Sequence, residues 1–372
     1  MRERAEAEFP PRLRLARQFG GLTQAELGEA VGVTRQFIHQ IESGQKPPPD
    51  SLRVRLGEEL GFESRFFGCP IAVELRDDEC HFRKRKTTPL HVRSRVLAHG
   101  SLFSEFVSWL DRNLSLPVVA LPHYEPSSLE GIEKAAEGCR RAWSLTADAP
   151  IDNVSRTLEH AGVVITTFSG VSEKVDAFSW HGQRPLVIRS TDKQSPDRSR
   201  FDLAHECGHL VLHAGVVTDD KQRESEADRF ASAFLLPRRG IVREFPRSKR
   251  LNWTTLIRLK ERWGVSLQAL VRRAFDLGLI DSDQYRRAYI HMSKRGWRTD
   301  EPGEVAEEPA ELIATALSFA EDELGVTSAD VAYELGWAPP TFATVSGQRI
   351  ERARSNVRTL HGARIGGRRS GY

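Results

Sequence analysis

The sequence predicts an α+β protein that is mostly helical: an all-α N-terminal domain, a middle region with a small sheet, and a helical C-terminal region. Three observations carry that prediction. Apolar residues recur at three-to-four spacing through most of the chain, β-branched residues cluster between positions 162 and 189, and a helix, tight turn, helix pattern lies near the N-terminus. The 372 residues are enough for two to three domains. Lys and Arg total 54 against 51 Asp and Glu, and the resulting net charge of +3 decides nothing about partners by itself.

Leu22 to Gly44 reads as two short helices about a turn at Gly32, with Thr34 capping the second. Leu27, Val31, Ile38 and Ile41 supply the facing apolar contacts. Arg35, Gln36, His39 and Gln40 lie on the exposed face of the second helix, where they can reach base edges and phosphates in a major groove. With Gln24 and Thr34 at the two helix starts, they form the candidate DNA-contacting set. The stretch from about Arg12 to Phe66 resembles the Cro/C1-type (XRE) helix-turn-helix family, through its Thr23-Gln24 opening and its Ile41-Glu42-Ser43-Gly44 ending. Residues 1–67 are therefore assigned to a domain that binds double-stranded DNA. Acidic and basic residues nearly cancel over the first 66 positions, so one copy should bind weakly and a homodimer is expected.

Residues 68–127 read as a connecting region, with the basic run Arg83-Lys84-Arg85-Lys86, a helix over Leu102–Leu110 and an apolar stretch from Leu116 to Pro122. A domain over 128–240 follows. It opens with a helix from Leu129 to Trp143 and a short amphipathic helix from Ile151 to His160, then a β-branched strand over Gly162–Phe168. Asp176–Trp180 and Pro185–Arg189 flank the turn-like His181–Arg184 and predict a hairpin. Ser195, Pro196 and Asp197 supply turn and N-cap chemistry for the next helix, and Arg198 and Arg200 read as solvated.

That helix contains His205-Glu206-Cys207-Gly208-His209. Residues four apart share a helix face, so the two imidazoles can converge on one metal ion, while Glu206 projects beside them as a general base for a water that the ion activates. Downstream, Ala227, Phe230, Ala231, Phe234 and Leu235 define a buried helical face ending at Pro237. Glu224 falls near that face and is the third ligand; Glu226 points away from it. Asp228, one turn beyond Glu224, is placed to accept a hydrogen bond from a ligand imidazole and fix its tautomer. His213 would stand about 12 Å along an unbroken helix from His205, too far to share an ion, and reads as a buried supporting histidine.

The pair of segments His205–His213 and Glu224–Pro237 resembles the ImmA/IrrE family of zinc metallopeptidases, with Cys207 where the family often has Phe or Leu and Leu236 where it often has Met. The resemblance implies a gluzincin-like fold, one Zn2+ per chain, and cleavage of a protein substrate, a repressor, in stress, phage or mobile-element circuits. In peptidases of this type an edge strand commonly aligns extended substrate by main-chain pairing, and one of the hairpin strands is assigned that task. The Leu-Lys-x-x-Trp-Gly-Val-Ser pattern at Leu259–Ser266 also recurs in the family, so the two resemblances together run from residue 12 to about 300.

Residues 241–348 read as a helical domain, with amphipathic helices at Trp253–Trp263 and Ser266–Ala274. Thr327, Val331, Leu335, Gly336 and Phe342 repeat the spacing of Thr23, Leu27, Val31, Gly32 and Ile38, which predicts a second helical hairpin over 326–347, suited to packing or dimerisation more than to DNA reading. A basic tail spans 349–372. The four cysteines show no Cys-x-x-Cys spacing, no apolar run reaches the ~20 residues of a membrane span, and no signal peptide is visible, so a cytoplasmic location is expected. Two functions fit: a DNA-anchored zinc endopeptidase, or a transcriptional regulator whose zinc domain only senses or stabilises. Three ligands and a carboxylate that is not one of them favour the first.

Overall fold

The N-terminal domain is closed by side chains that cap and by one buried charge. Its helices are α1 (Arg2–Phe19), α2 (Gln24–Ala30), α3 (Arg35–Glu42) and α4 (Asp50–Leu60), followed by a short 3-10 turn at Phe66–Gly68. Thr23 and Glu26 form a reciprocal capping box at the start of α2, and the Thr34 hydroxyl accepts from the Phe37 N–H to start α3. Gly32 between them has φ +69°, a conformation that costs a residue with a Cβ. Glu42 is buried at the end of α3. Arg17 of α1 donates to both its oxygens at 2.6 and 2.9 Å and Gln24 of α2 donates at 2.8 Å, so one carboxylate ties three helices together. Removing one partner of such a pair costs several kcal/mol, about 3–5, because a buried charge is left unmatched.

The computed structural model describes residues 2–71, 73–76, 80–82, 89–125, 128–168, 177–190, 195–214, 221–248 and 250–348. The basic run Arg83–Lys86 and the tail from 349 onward lie outside these residues. The helix predicted over Leu102–Leu110 is the second half of a much longer one, α5 (Leu90–Asn113). Its buried length packs against α1, where Arg12 donates to Glu105 at 2.9 Å and to the carbonyls of Cys69 and Pro70.

A four-stranded sheet stands between two cores. Its strands are β1 (Cys80–Phe82), β2 (Val164–Phe168), β3 (Ala177–Trp180) and β4 (Leu186–Ser190), in the order β1-β3-β4-β2. β3 and β4 form the predicted antiparallel hairpin, with Ser179 opposite Val187, and β2 runs parallel to β4, with Ile165 beside Val187. Side chains alternate along a strand, so the two faces separate cleanly. Val164, Phe168, Phe178, Leu186 and Ile188 join a core with α1–α5, whereas Ile165 and Val187 join a second core on the opposite face. β1, which comes from the connecting region, was not foreseen. Three residues bounded by charge carry no period-two signal.

The second core gathers α6 (Leu129–Ala142), α7 (Val154–His160), α8 (Pro196–Leu212), α9 (Lys221–Leu235), α10 (Arg238–Glu244), α11 (Trp253–Trp263), α12 (Leu267–Asp276) and α13 (Ser282–Lys294). The chain then crosses back, and α14 (Leu312–Leu324), α15 (Ser328–Leu335) and α16 (Pro339–Ser346) pack on the first core. The C-terminal hairpin is thus fused to the N-terminal domain. Gly61 O accepts from the Ala338 N–H at 3.0 Å and the Thr341 hydroxyl at 2.7 Å, and Glu63 N–H donates to Gly336 O at 2.8 Å. Val331, Phe342 and Val345 are fully buried there, which is the packing role the sequence suggested.

Two local expectations are corrected. Arg200 is not solvated: it is buried, donates to Ile151 O at 2.8 Å and pairs with Glu308, because the chain crossing back from α13 to α14 covers it. Ser195 occupies the N-cap of α8 with Pro196 in the first turn, but its hydroxyl caps no backbone N–H.

His99, in the middle of α5, links α5 to the C-terminal hairpin through a 3.1 Å contact between Nε2 and Thr344 O. That carbonyl requires the proton on Nε2, and Nδ1 is buried with no hydrogen-bond partner among the described residues. Burial therefore lowers its pKa to about 4, with the nearby Arg95 adding to the effect and the Thr344 bond opposing it. Since the folded value lies below the ordinary value of 6.5, the unfolded chain takes the proton first. The His99 contribution is complete above about pH 6.5 and is lost as pH falls towards 4, by roughly 3 kcal/mol in total. Urea unfolding at pH 7 and pH 4 should show a smaller acid loss in His99→Gln than in the parent; equal losses would remove His99 from the acid response.

Candidate metal centre

The HExxH stretch lies within α8, whose residues from Asp202 to Leu212 are all buried. His205 and His209 sit one turn apart on it, and α9 crosses close by. A Cβ on Gly208 would stand 3.1 Å from Ala227 Cα and 3.2 Å from the Phe230 ring, so the glycine at this point lets the two helices approach. That approach brings Glu224, in the first turn of α9, opposite both imidazoles. His205 Nε2 and His209 Nε2 are 3.1 Å apart, His205 Nε2 is 3.5 Å from Glu224 Oε2, and His209 Nε2 is 3.3 Å from Glu224 Oε1. His205, His209 and Glu224 are the group of His, Cys, Asp and Glu donors that converges closely enough for an ion among the described residues.

The supporting residues decide which nitrogens face the centre. His205 Nδ1 lies 2.8 Å from Asp228 Oδ1, so the proton belongs on Nδ1 and the Nε2 lone pair faces inward. On the other side a relay runs back from His209. Its Nδ1 is 3.0 Å from His213 Nδ1, and His213 Nε2 is 2.9 Å from Glu226 Oε2. With the His213 proton on Nε2, His213 Nδ1 accepts from His209 and the second Nε2 lone pair also faces inward. α8 ends at Leu212, and His213 serves as its C-cap, which is why it turns to Glu226 and not to the centre. Spacing along α9 turns Glu226 away from the buried face, yet its side chain is less exposed than that of Glu224, because it meets the buried His213 at the end of the neighbouring helix, a relation that spacing along α9 alone cannot show.

Two lone pairs facing each other at 3.1 Å repel unless positive charge lies between them. Tetrahedral zinc with ligands at about 2.0–2.1 Å would hold them about 3.3–3.4 Å apart, close to all three distances here. Electrostatics make the same demand. Burial opposes charge on His205, yet its bonds to Asp228 and Glu224 raise it to about 9, while burial lowers His209 to about 4 against the pull of Glu224. Burial also opposes charge on Glu224, but the two imidazoles hold it well below the usual carboxylate range. The site thus calls for positive charge, which a proton on His205 supplies when no cation does, and the donors fit a zinc ion.

Glu206 is the carboxylate left outside this set. It is completely buried under β3, one of its oxygens, Oε2, has no hydrogen-bond partner among the described residues, and burial raises its pKa to about 7 against the charge on His205 and the adjacent Ser179 hydroxyl. Beside the centre, Glu224 and Asp228 line a cleft of about 1380 Å³ whose other walls include Phe201, Asp202, Tyr285 and Arg298.

In the N-terminal domain, Arg35, Gln36 and His39 are exposed on α3, Thr34 is exposed but occupied in capping, and Gln40 is half-buried. Gln24 is engaged by Glu42, so its amide serves the helix assembly. No helix among the described residues is long and apolar enough to cross a membrane.

Residues 8–64 match the family described as a helix-turn-helix domain, and residues 158–275 match a peptidase family described as the IrrE N-terminal-like domain. A 43-residue stretch is 51% identical to an uncharacterized HTH-type transcriptional regulator of Methanothermobacter thermautotrophicus. That match takes in 12% of this chain and 62% of the length of that protein. The chain therefore joins a helix-turn-helix domain to an IrrE N-terminal-like domain.

Replacing His213 by Phe or Glu226 by Gln should weaken zinc retention by roughly 10–100-fold, because the His209 tautomer is no longer held. Competition with a chromophoric chelator measures this. Retention equal to the parent would show that the relay does not orient His209.

Proposed function

We propose that this protein is a DNA-bound zinc endopeptidase that cleaves a partner protein, a transcriptional repressor of a stress, phage or mobile-element circuit. The observation that carries the reading is Glu206: a buried carboxylate with an unpartnered oxygen, beside three converging donors and not among them. A structural zinc site has no use for such a group, and it is usually closed by four protein ligands. Zinc, when bound, polarises the scissile carbonyl and makes water acidic enough to ionise near neutral pH. His205, His209 and Glu224 would hold the ion. Glu206 takes the proton from the attacking water, whose oxygen joins the carbonyl carbon, and returns it to the amine nitrogen as the peptide bond breaks. Asp228 and the His213–Glu226 relay keep both imidazoles in the ligating tautomer.

The alternative, a regulator whose zinc domain only senses or stabilises, shares the DNA-binding end. That end is supported by the exposed face of α3, by the helix-turn-helix match and by the likeness of a 43-residue stretch to an HTH-type transcriptional regulator. Two copies on neighbouring half-sites would compensate for the near-neutral charge of one N-terminal domain.

Purified protein should carry about one zinc per chain, and His205→Ala should lose it. Glu206→Gln should keep the fold and the metal while cleavage of any repressor that the parent protein cuts stops, since an amide cannot accept the proton. Cleavage by Glu206→Gln at the parental rate would overturn the base assignment.

At the other end, replacing Gln36 and Gln40 together by Ala should weaken operator binding at least roughly tenfold, at about 1–3 kcal/mol per base contact, and leave zinc content unchanged. An electrophoretic shift at fixed salt reads the effect. A double variant that binds like the parent would turn α3 into a protein-docking helix.

A further inference from the structure

β3 has two edges. One pairs with β4 within the hairpin; the other is the edge that the peptidase reading assigns to an extended substrate. Here it is taken. β1, residues Cys80–Phe82, pairs antiparallel along it, with Cys80 opposite Trp180, His81 opposite Ser179 and Phe82 opposite Phe178. Ser179 is the β3 residue adjacent to Glu206, and His81 is the residue paired with it across the strands. β1 does not come from the peptidase-like region at all. It belongs to the segment between the 3-10 turn at Phe66–Gly68 and α5, whereas β2, β3 and β4 all lie within residues 158–275. Those three strands already separate the two cores, and both residues of the proposed ligand pair His205 and His209 are buried with β1 in place.

From this we infer that β1 is an internal competitor for the substrate edge: the partner protein is engaged as an extended strand, antiparallel to Ala177–Trp180, and the chain's own residues 80–82 hold that place until it arrives. The inference rests on the peptidase reading for the word substrate, but its geometry does not depend on hydrolysis. Among the described residues the ladder is three pairs long, and an incoming strand can replace those pairs bond for bond.

The register offers a direct test. Residues directly opposite in an antiparallel pair have Cα atoms about 4.5–5.5 Å apart, within the span of a disulfide. A Trp180→Cys substitution therefore places a thiol opposite the native Cys80, in a full-length chain also carrying Cys69→Ser and Glu206→Gln and loaded with zinc. The probe is a fluorescein-labelled peptide of residues 76–86 with Cys80→Ser, followed by fluorescence anisotropy. Oxidation should lower its affinity at least tenfold, and dithiothreitol should restore it. Independently, His81→Pro with Phe82→Pro in the Glu206→Gln chain should raise the affinity at least tenfold over the unmodified strand, because proline removes the main-chain donors. Equal peptide affinity in locked, unlocked and proline forms overturns the inference. The proline pair in the chain that retains Glu206 is then tested for hydrolysis of the same peptide: shifted binding with no hydrolysis leaves β1 as the competitor and rejects the peptidase reading instead.

Discussion

The structure depends on a sheet that is buried on both faces. β2 and β4 carry apolar residues at successive positions, and the pleat sends Val164, Leu186 and Ile188 to one core and Ile165 and Val187 to the other. A strand shared in this way cannot shift register by one residue without exchanging the contents of two cores, so its position is strongly specified. Every other relation in the molecule is referred to it: α5 and the helix-turn-helix domain on one side, α8 and the candidate metal centre on the other.

This arrangement makes the two ends of the chain less separate than their sequence suggests. The N-terminal helices reach the sheet through the buried Arg12–Glu105 pair and α5, and the C-terminal hairpin closes over both, with the Thr166 hydroxyl on β2 donating to Val345 O.

At the centre itself, charge complementarity explains the geometry better than packing does. Glu224, Glu206 and Asp228 surround two imidazoles whose remaining nitrogens are committed to Asp228 and to the His213–Glu226 relay. The bonds to Asp228 and Glu224 favour charge on His205, and the near-complete burial of both imidazoles leaves little water beside them to screen it. The close crossing of α8 and α9 at Gly208 is held by the apolar core that both helices share, and it brings Glu224 opposite the two imidazoles.

What the chain shows on its own follows from distances that a helix or a strand imposes locally. His205, Glu206 and His209 lie within one turn, so their convergence could be read directly; Glu224 could be placed from the buried face of its own helix, and Thr23, Thr34 and the apolar spacing announced the helix-turn-helix. The period-two strands and the C-terminal hairpin were legible for the same reason. Tertiary structure decided whatever joins segments remote in sequence. His213 pairs with Glu226, thirteen residues on, only because α8 ends where α9 passes. Arg200 is buried only because a segment a hundred residues later covers it. β1 exists because β3 offers it an edge, since three residues have no pattern of their own. Helical and strand periodicity is a property of neighbours along the chain, whereas burial, ion pairing and edge pairing are properties of neighbours in space.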